Sequence, residues 1–283
     1  MATGDLITGA QNTWCPGCGN FAIEHMLKEV FEGLITDGTP PEEIVLVTGI
    51  GCHGKMADYL GVNSFYSLHG RAVPVATGIK VANPELTVIC CVGDGDCYGE
   101  GLEHLLFAAK RNVGITMIVH NNRVYGLTTG QYTPTSPQGF PGRSTPHGTI
   151  EHPINPLALL LSSGAGWVGR GYTRRLPQLR GLIDAAVRHQ GFAVLDILQI
   201  CATYYNRAAC YNTHTYELTD HDPSQFEDAY AKAREWDYTS EAPIPLGVFY
   251  DKNLPCFENQ LRESPASSTD TNAAISRILD QHR

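Results

Sequence analysis

Gly93-Asp94-Gly95-Asp96 stands at the end of the run Leu86-Thr87-Val88-Ile89-Cys90-Cys91-Val92, and Asn121-Asn122 stands just past Ile115-Thr116-Met117-Ile118-Val119. Both runs are nearly continuous in apolar residues and rich in β-branched ones, the pattern of strands buried on both faces. Between them Leu102, Leu105, Leu106 and Ala109 recur at helical spacing within 99–111. Strand, helix and strand in this order make the two strands parallel and predict an α/β fold, a mostly parallel sheet with helices on both faces. The acidic loop and the paired asparagines then lie at carboxyl ends of strands, where open α/β sheets bind ligands.

Magnesium takes near-octahedral oxygen coordination, commonly through one or two protein oxygens plus substrate phosphates. Asp94 supplies a carboxylate and Asn122 an amide oxygen. The glycines let the backbone approach a diphosphate closely, and the amino end of the following helix adds a favourable partial positive charge. Taken singly, Gly-Asp-Gly reads as a turn and Asn-Asn as a loop start. Together on adjacent strand ends they read as a magnesium–diphosphate site.

Nine cysteines, an odd number, with no apolar amino-terminal segment of signal-peptide type, argue against a secreted disulfide framework and for a cytoplasmic chain of thiols or metal ligands. Cys15-Pro16-Gly17-Cys18 precedes a helix expected over 21–34. Only a short polar segment lies before it, whereas a thioredoxin-like dithiol needs a strand there. Ile44–Thr48 reads as a strand leading to Gly49-Ile50-Gly51-Cys52, and 192–200 as another ending at Cys201. If both run parallel to the strand before Asp94, their thiols share its edge, with Cys210 the rival to Cys201. Cys90 and Cys91, adjacent in a strand, point to opposite faces and belong to the core. Cys97 reads as a packing residue at a helix start, and Cys256 has no partner visible from spacing. Four thiolates suit zinc as well as an iron–sulfur cluster, so the cysteines alone leave the metal open.

The continuation Asn122-Arg123-Val124-Tyr125-Gly126-Leu127-Thr128 narrows the field. From about Trp14 to about Tyr205 the chain resembles the β subunits of 2-oxoacid:ferredoxin oxidoreductases, and is most similar to the 2-oxoglutarate type. The resemblance implies the diphosphate-binding domain of a thiamine diphosphate-binding fold. The Asp94 and Asn122 side chains and the Val124 carbonyl would hold Mg2+, and Cys15, Cys18, Cys52 and Cys201 one [4Fe-4S] cluster. It places Gly51, Cys52, His53, Gly93, Asp94, Gly95, Asp96, Asn122, Val124, Gly126, Leu127 and Thr128 around the cofactor. It implies reversible oxidative decarboxylation of 2-oxoglutarate to succinyl-CoA and CO2, with coenzyme A as co-substrate and ferredoxin as electron acceptor. Lys55, with His53 beside it, would direct positive charge to the distal carboxylate of the 2-oxoacid, although a solvated surface lysine is equally compatible with composition. His69 would donate a hydrogen bond or relay a proton, or else cap its loop. Leu127 resembles the 2-oxoglutarate group, and Thr129 stands where members accepting many 2-oxoacids often carry lysine.

A chain of 283 residues with 17% charged residues suffices for one α/β core but is short for two. Thiamine enzymes need a second domain for the aminopyrimidine, so the expectation is an α subunit that supplies it, in an αβ heterodimer or (αβ)2. The Gly- and Pro-rich segment 125–156 reads as a long loop, a lid or an interface. A helix is expected over 178–189. After about Tyr211 the sheet pattern stops, which divides the chain into a cofactor-binding domain, 1–210, and an extension, 211–283, packed on it or on a partner. The extension reads as a short helix over 228–236, a Ser/Thr-rich tail over 263–272 and a weakly helical end.

No stretch is long and apolar enough to cross a bilayer, and a net charge of −9 argues against nucleic acid. An acidic ferredoxin would need a local basic patch or the partner chain's surface. Two rival classes remain at this level: a non-oxidative thiamine decarboxylase subunit, which needs no cluster, and a nucleotide-binding module with structural zinc.

Overall fold

The structure, a computed structural model, describes residues 6–263 and 271–281. Eight strands, β1 (Ile44–Thr48), β2 (Asn63–Tyr66), β3 (Thr87–Gly93), β4 (Ile115–Asn121), β5 (Trp167–Tyr172), β6 (Ala193–Leu198), β7 (Thr215–Glu217) and β8 (Ile244–Asp251), form one sheet in the order β2-β1-β3-β4-β6-β5-β8-β7. From β2 to β5 every pairing is parallel; β8 runs antiparallel to β5, and β7 parallel to β8. The helices are α1 (Asn20–Thr36), α2 (Met56–Tyr59), α3 (Ala72–Ala82), α4 (Leu102–Arg111), α5 (Pro156–Ser162), α6 (Leu176–Arg188), α7 (Ala208–His214), α8 (Phe226–Ala233), α9 (Phe257–Glu263) and α10 (Thr271–Gln281).

Alternation along the strands divides the core. Cys90 faces a layer built with Ala76 of α3, Leu105 of α4, Leu157 of α5 and Ala229 of α8, while Cys91 faces Leu27 of α1, Met56 of α2 and Ile183 of α6. The sheet is therefore covered on both faces, as its unbroken apolar strands require. On α1, Ile23, Leu27, Val30, Phe31 and Leu34 fall on one helical stripe and are all buried. That helix stops where Gly38 takes φ 104°, a left-handed position open to glycine.

Chain order places the site. β1 is followed by β2 on one side and by β3 on the other, so the connections diverge between β1 and β3. A crevice opens at the carboxyl ends of strands where connections diverge in this way.

Two expectations need correction. The sheet does not stop at Tyr211, because β7 and β8 extend it, with β8 against β5. Pro245 sits inside β8, and β5 carries Gly169, Arg170 and Gly171, so neither strand shows an apolar run. The helix after the acidic loop does not begin at Gly99: Gly95–Glu100 form a turn of π-helical geometry, and α4 starts at Leu102. The segment 125–156 is irregular as expected. Most of the Ser/Thr-rich tail, 264–270, lies outside the described residues. No helix among them is long and apolar enough to cross a membrane.

Candidate functional site

Three loops, after β1, β3 and β4, enclose a cavity lined by Gly51, Cys52, His53, Gly93, Asp94, Gly95, Asp96, Asn122, Val124, Gly126, Leu127 and Thr128, with His69 at its mouth. Every residue that the resemblance implied around a cofactor lines this cavity, and Ile50 and Tyr125 join them.

Asp94 is 1% exposed and accepts a hydrogen bond from Thr135 Oγ1 at 2.7 Å. Burial pushes its carboxyl up to about 6, against the hydrogen bonds from Thr133 and Thr135. A divalent cation beside it would reverse that logic by favouring the carboxylate. Asn122 Oδ1 accepts the Val124 N–H at 3.0 Å, a local turn that carries Arg123 at φ 62°. Arg123 is itself buried. Its Nε donates to the Thr135 carbonyl at 2.7 Å, a second guanidinium nitrogen donates to the Tyr238 carbonyl, and the group lies 5.3 Å from the Trp236 ring and 5.5 Å from that of Tyr238.

Asp96 turns partly away from this centre. Its Oδ1 accepts the Gly70 N–H at 2.7 Å, and His53 Nε2 and His69 Nδ1 lie 3.4 and 3.7 Å from its two oxygens. His53 is buried, whereas the His69 side chain is 43% exposed. A Cβ on Gly49 would overlap the Asp96 carboxylate, so the Gly49-Ile50-Gly51 approach to β3 requires glycine at its first position.

Next to this cavity lies a second, of about 220 Å3, lined by Cys15, Cys18, Cys52 and Cys201 together with Thr13, Trp14, Lys55, Gln199 and Tyr204. The Cys15–Cys18 turn closes with a Cys18 N–H to Cys15 carbonyl bond at 3.0 Å and has Gly17 at φ 80°. Trp14 Nε1 donates to the Cys52 carbonyl at 2.7 Å, and Gln199 Nε2 contacts Cys18 Sγ at 3.4 Å. A Cβ on Gly126 would sit 3.7 Å from both Cys52 Sγ and Cys201 Sγ. Burial pushes the Cys18 thiol up to about 11, and Cys52, Cys201 and Cys15 each push it further in the same direction. Among the described residues no three His, Cys, Asp or Glu side chains converge tightly on a single point. The four thiols instead surround a common space, a donor set that suits iron and sulfide better than hard oxygen-seeking cations.

Cys52, Asn122, Gly126 and Leu127 line both cavities. Lys55 lies on the thiol side only, with Nζ donating to Thr13 Oγ1 at 2.6 Å. Cys210 is outside the group, its sulfur 2.9 Å from an Arg207 guanidinium nitrogen on the same helical turn. Cys90, Cys91, Cys97 and Cys256 are buried elsewhere. Sequence reasoning missed Thr135 and Tyr125. Tyr125 OH donates to the Gly95 carbonyl at 3.0 Å, and its place inside the 122–128 run was a usable signal; Thr135 stands in an irregular loop that offers none.

The family profile described as "Thiamine pyrophosphate enzyme, C-terminal TPP binding domain" matches residues 49–197, which defines the class. A second profile, for the C-terminal part of the pyruvate ferredoxin oxidoreductase beta subunit, matches residues 201–265. The β subunit of 2-oxoacid:ferredoxin oxidoreductase 1 from Aeropyrum pernix is 39% identical over 96% of this chain and 88% of its own. The KorB subunit of 2-oxoglutarate synthase from Methanothermobacter thermautotrophicus is 37% identical over 69% of this chain and 67% of its own. In three dimensions the chain is similar to 2-oxoglutarate:ferredoxin oxidoreductase from Magnetococcus marinus, solved with 2-oxoglutarate, coenzyme A and succinyl-CoA bound. The TM-score is 0.88, with 32% identity over 98% of this chain and 95% of that one. The chain belongs to the β-subunit family of the 2-oxoacid:ferredoxin oxidoreductases.

Proposed function

We propose that this chain, joined to an α subunit that completes the thiamine diphosphate site, catalyses the reversible coenzyme A-dependent oxidative decarboxylation of 2-oxoglutarate and passes the electrons to ferredoxin. The observation that carries the reading is the shared wall: Cys52, Asn122, Gly126 and Leu127 belong at once to the carboxylate cavity and to the thiol cavity. A non-oxidative decarboxylase has no use for four thiols against its cofactor pocket.

Asp94, Asn122 and the Val124 carbonyl are the residues that would hold Mg2+ and through it the diphosphate, and Cys15, Cys18, Cys52 and Cys201 those that would hold one [4Fe-4S] cluster. When bound, these groups supply stabilisation of negative charge at the substrate carbon and electron transfer in single steps. The chain's own residues then bind, orient and shield. The loops after β1, β3 and β4 bury Asp94 away from water. The Gly70 N–H holds Asp96 Oδ1, with His53 Nε2 3.4 Å from the other oxygen, and so ties the loop that presents His69, an accessible titratable side chain at the mouth, to the acidic loop. His69 is positioned to hydrogen-bond substrate or move a proton there. Lys55 offers a cation for the distal carboxylate of a dicarboxylic 2-oxoacid.

Anaerobic purification with the α subunit is expected to give a brown complex containing thiamine diphosphate that reduces viologen with 2-oxoglutarate and coenzyme A. A colourless zinc protein, or full turnover by this chain alone, would refute the reading. Lys55→Ala is expected to raise the KM for 2-oxoglutarate about tenfold or more with little change for pyruvate. Equal KM changes for both would favour a broad 2-oxoacid range, which the Aeropyrum relative's name also supports.

A further inference from the structure

A chain with net charge −9 repels an acidic protein at long range unless one face escapes the acid excess. The rim of the thiol cavity escapes it. The chain has 29 Asp and Glu, yet residues 6–23, 44–57, 104–150, 152–183 and 197–216 contain none. These stretches supply the Cys15–Cys18 turn, the Cys52 loop after β1, the loop after β4, the turn after β5 and the Cys201 loop after β6. All but the turn after β5 line the thiol cavity, and that turn packs on Gly19 beside Cys18.

The cations on the same rim are few and free of carboxylates. Arg174 and Arg175, both exposed, follow Thr173, which packs against the cysteine turn: a Cβ on Gly19 would lie 3.2 Å from Thr173 Oγ1. The Gly19 N–H donates to the Ile200 carbonyl at 3.0 Å, so the turn after β5, which carries the two arginines directly after Thr173, packs beside the Cys15–Cys18 turn and the loop of Cys201. Arg143 bonds Thr129 Oγ1, next to Gly130, where a Cβ would lie 3.1 Å from the Tyr204 ring. Among the described residues none of Arg143, Arg174 and Arg175 is in a salt bridge, while Arg170, Arg180 and Arg188 are. Within this ring Cys15 is exposed, and Leu127 and Tyr204 are 47% and 42% exposed. A cationic ring around exposed apolar contacts is the anatomy of a transient protein interface steered by charge.

We propose that the open face of the thiol cavity is the docking surface for an acidic protein electron carrier, with Arg174 and Arg175 as its principal attractive charges. The inference rests on the assignment of the cluster to Cys15, Cys18, Cys52 and Cys201. Charge reversal away from those ligands tests it. The assembled complex carrying R174E and R175E, and the wild type, are mixed with an acidic iron–sulfur protein in stopped flow at low and high salt. Viologen reduction and assembly with the α subunit are measured alongside.

The expected result is an association rate lowered about tenfold or more at low salt, convergence with wild type at high salt, and unchanged viologen reduction and assembly. An unchanged association rate would overturn the proposal. So would failure of R174E/R175E to assemble, which would make this face part of the interface with the α subunit. R174K/R175K keeps the charge and is expected to associate like wild type; loss there too would overturn the role of charge. Absence of viologen reduction by the wild type would defeat the functional reading instead, and the association rates would still judge the surface.

Discussion

Thr135 is the residue whose contribution is least visible from sequence and most direct in space. Its hydroxyl reaches Asp94 Oδ2 at 2.7 Å and Asn121 Oδ1 at 3.1 Å, and its carbonyl accepts from Arg123. Removing the partner of a metal-holding carboxylate commonly costs about 10–100-fold in metal affinity. Thr135→Val keeps the shape and removes the hydroxyl, and, with Asp94 as the proposed Mg2+ ligand, is expected to weaken Mg2+-dependent thiamine diphosphate binding by that order in calorimetry; unchanged affinity would show that the Thr135 hydroxyl does not support Asp94 in that role. A second residue acts through a turn. Asp237 accepts from the backbone N–H groups of Thr239 and Ser240, each at 2.9 Å, and so holds Tyr238 at φ 64°. These bonds hold its carboxyl well below the usual carboxylate range. A carboxylate depressed in the folded state adds stability above its unfolded value of about 4, lost as pH falls through the folded value. Asp237→Ala is therefore expected to cost about 1 kcal/mol near neutrality, with the gap to wild type narrowing in unfolding curves taken in acid.

Strands β5, β6 and β8 depend on one another through a buried polar group of side chains rather than through apolar patterning. Asp196 of β6 accepts from Tyr98 OH and Tyr238 OH, each at 3.0 Å, and from Asn121 Nδ2 at 2.9 Å, with Arg170 Nε of β5 at 3.7 Å. Arg170 and Asp196 are both 0% exposed. Arg170 also faces the rings of Trp236, Tyr238 and Phe249, 5.2 to 5.4 Å from each centroid. Breaking such a pair from one side strands a buried charge and costs about 3–5 kcal/mol. Asp196→Ala is expected to lose that much in chemical denaturation, and Arg170→Met with Asp196→Leu to lose much less. Equal losses would mean that packing, not the uncompensated guanidinium, sets the cost.

For the molecule as a whole, the region after residue 210 completes the sheet that the earlier part begins. β8 pairs with β5, and Trp236 and Tyr238 pack with Tyr172, Leu198 and Tyr211 in one buried cluster. A chain ending at residue 210 would expose the edge of β5 and leave Arg170 without its aromatic surroundings. It is expected to show no cooperative unfolding transition; a cooperative transition would establish 1–210 as a domain that folds alone. Much of the site was legible in the amino acids. Asp94, Asn122, Cys52 and Cys201 each follow a strand, and parallel strands deliver their carboxyl ends to one edge whatever lies between them. The local runs of apolar residues therefore carried the placement of Asp94, Asn122 and Cys52, whereas Cys201 was separated from Cys210 only by the family resemblance. What local runs do not encode is which distant polar residues meet. Thr135 beneath Asp94, Arg170 against Asp196, and β8 beside β5 despite Pro245 are pairings whose free energy exists only after the chain has closed on itself. The tertiary structure alone decides them, because a buried charge or hydroxyl is favourable or ruinous according to the partner it finds there.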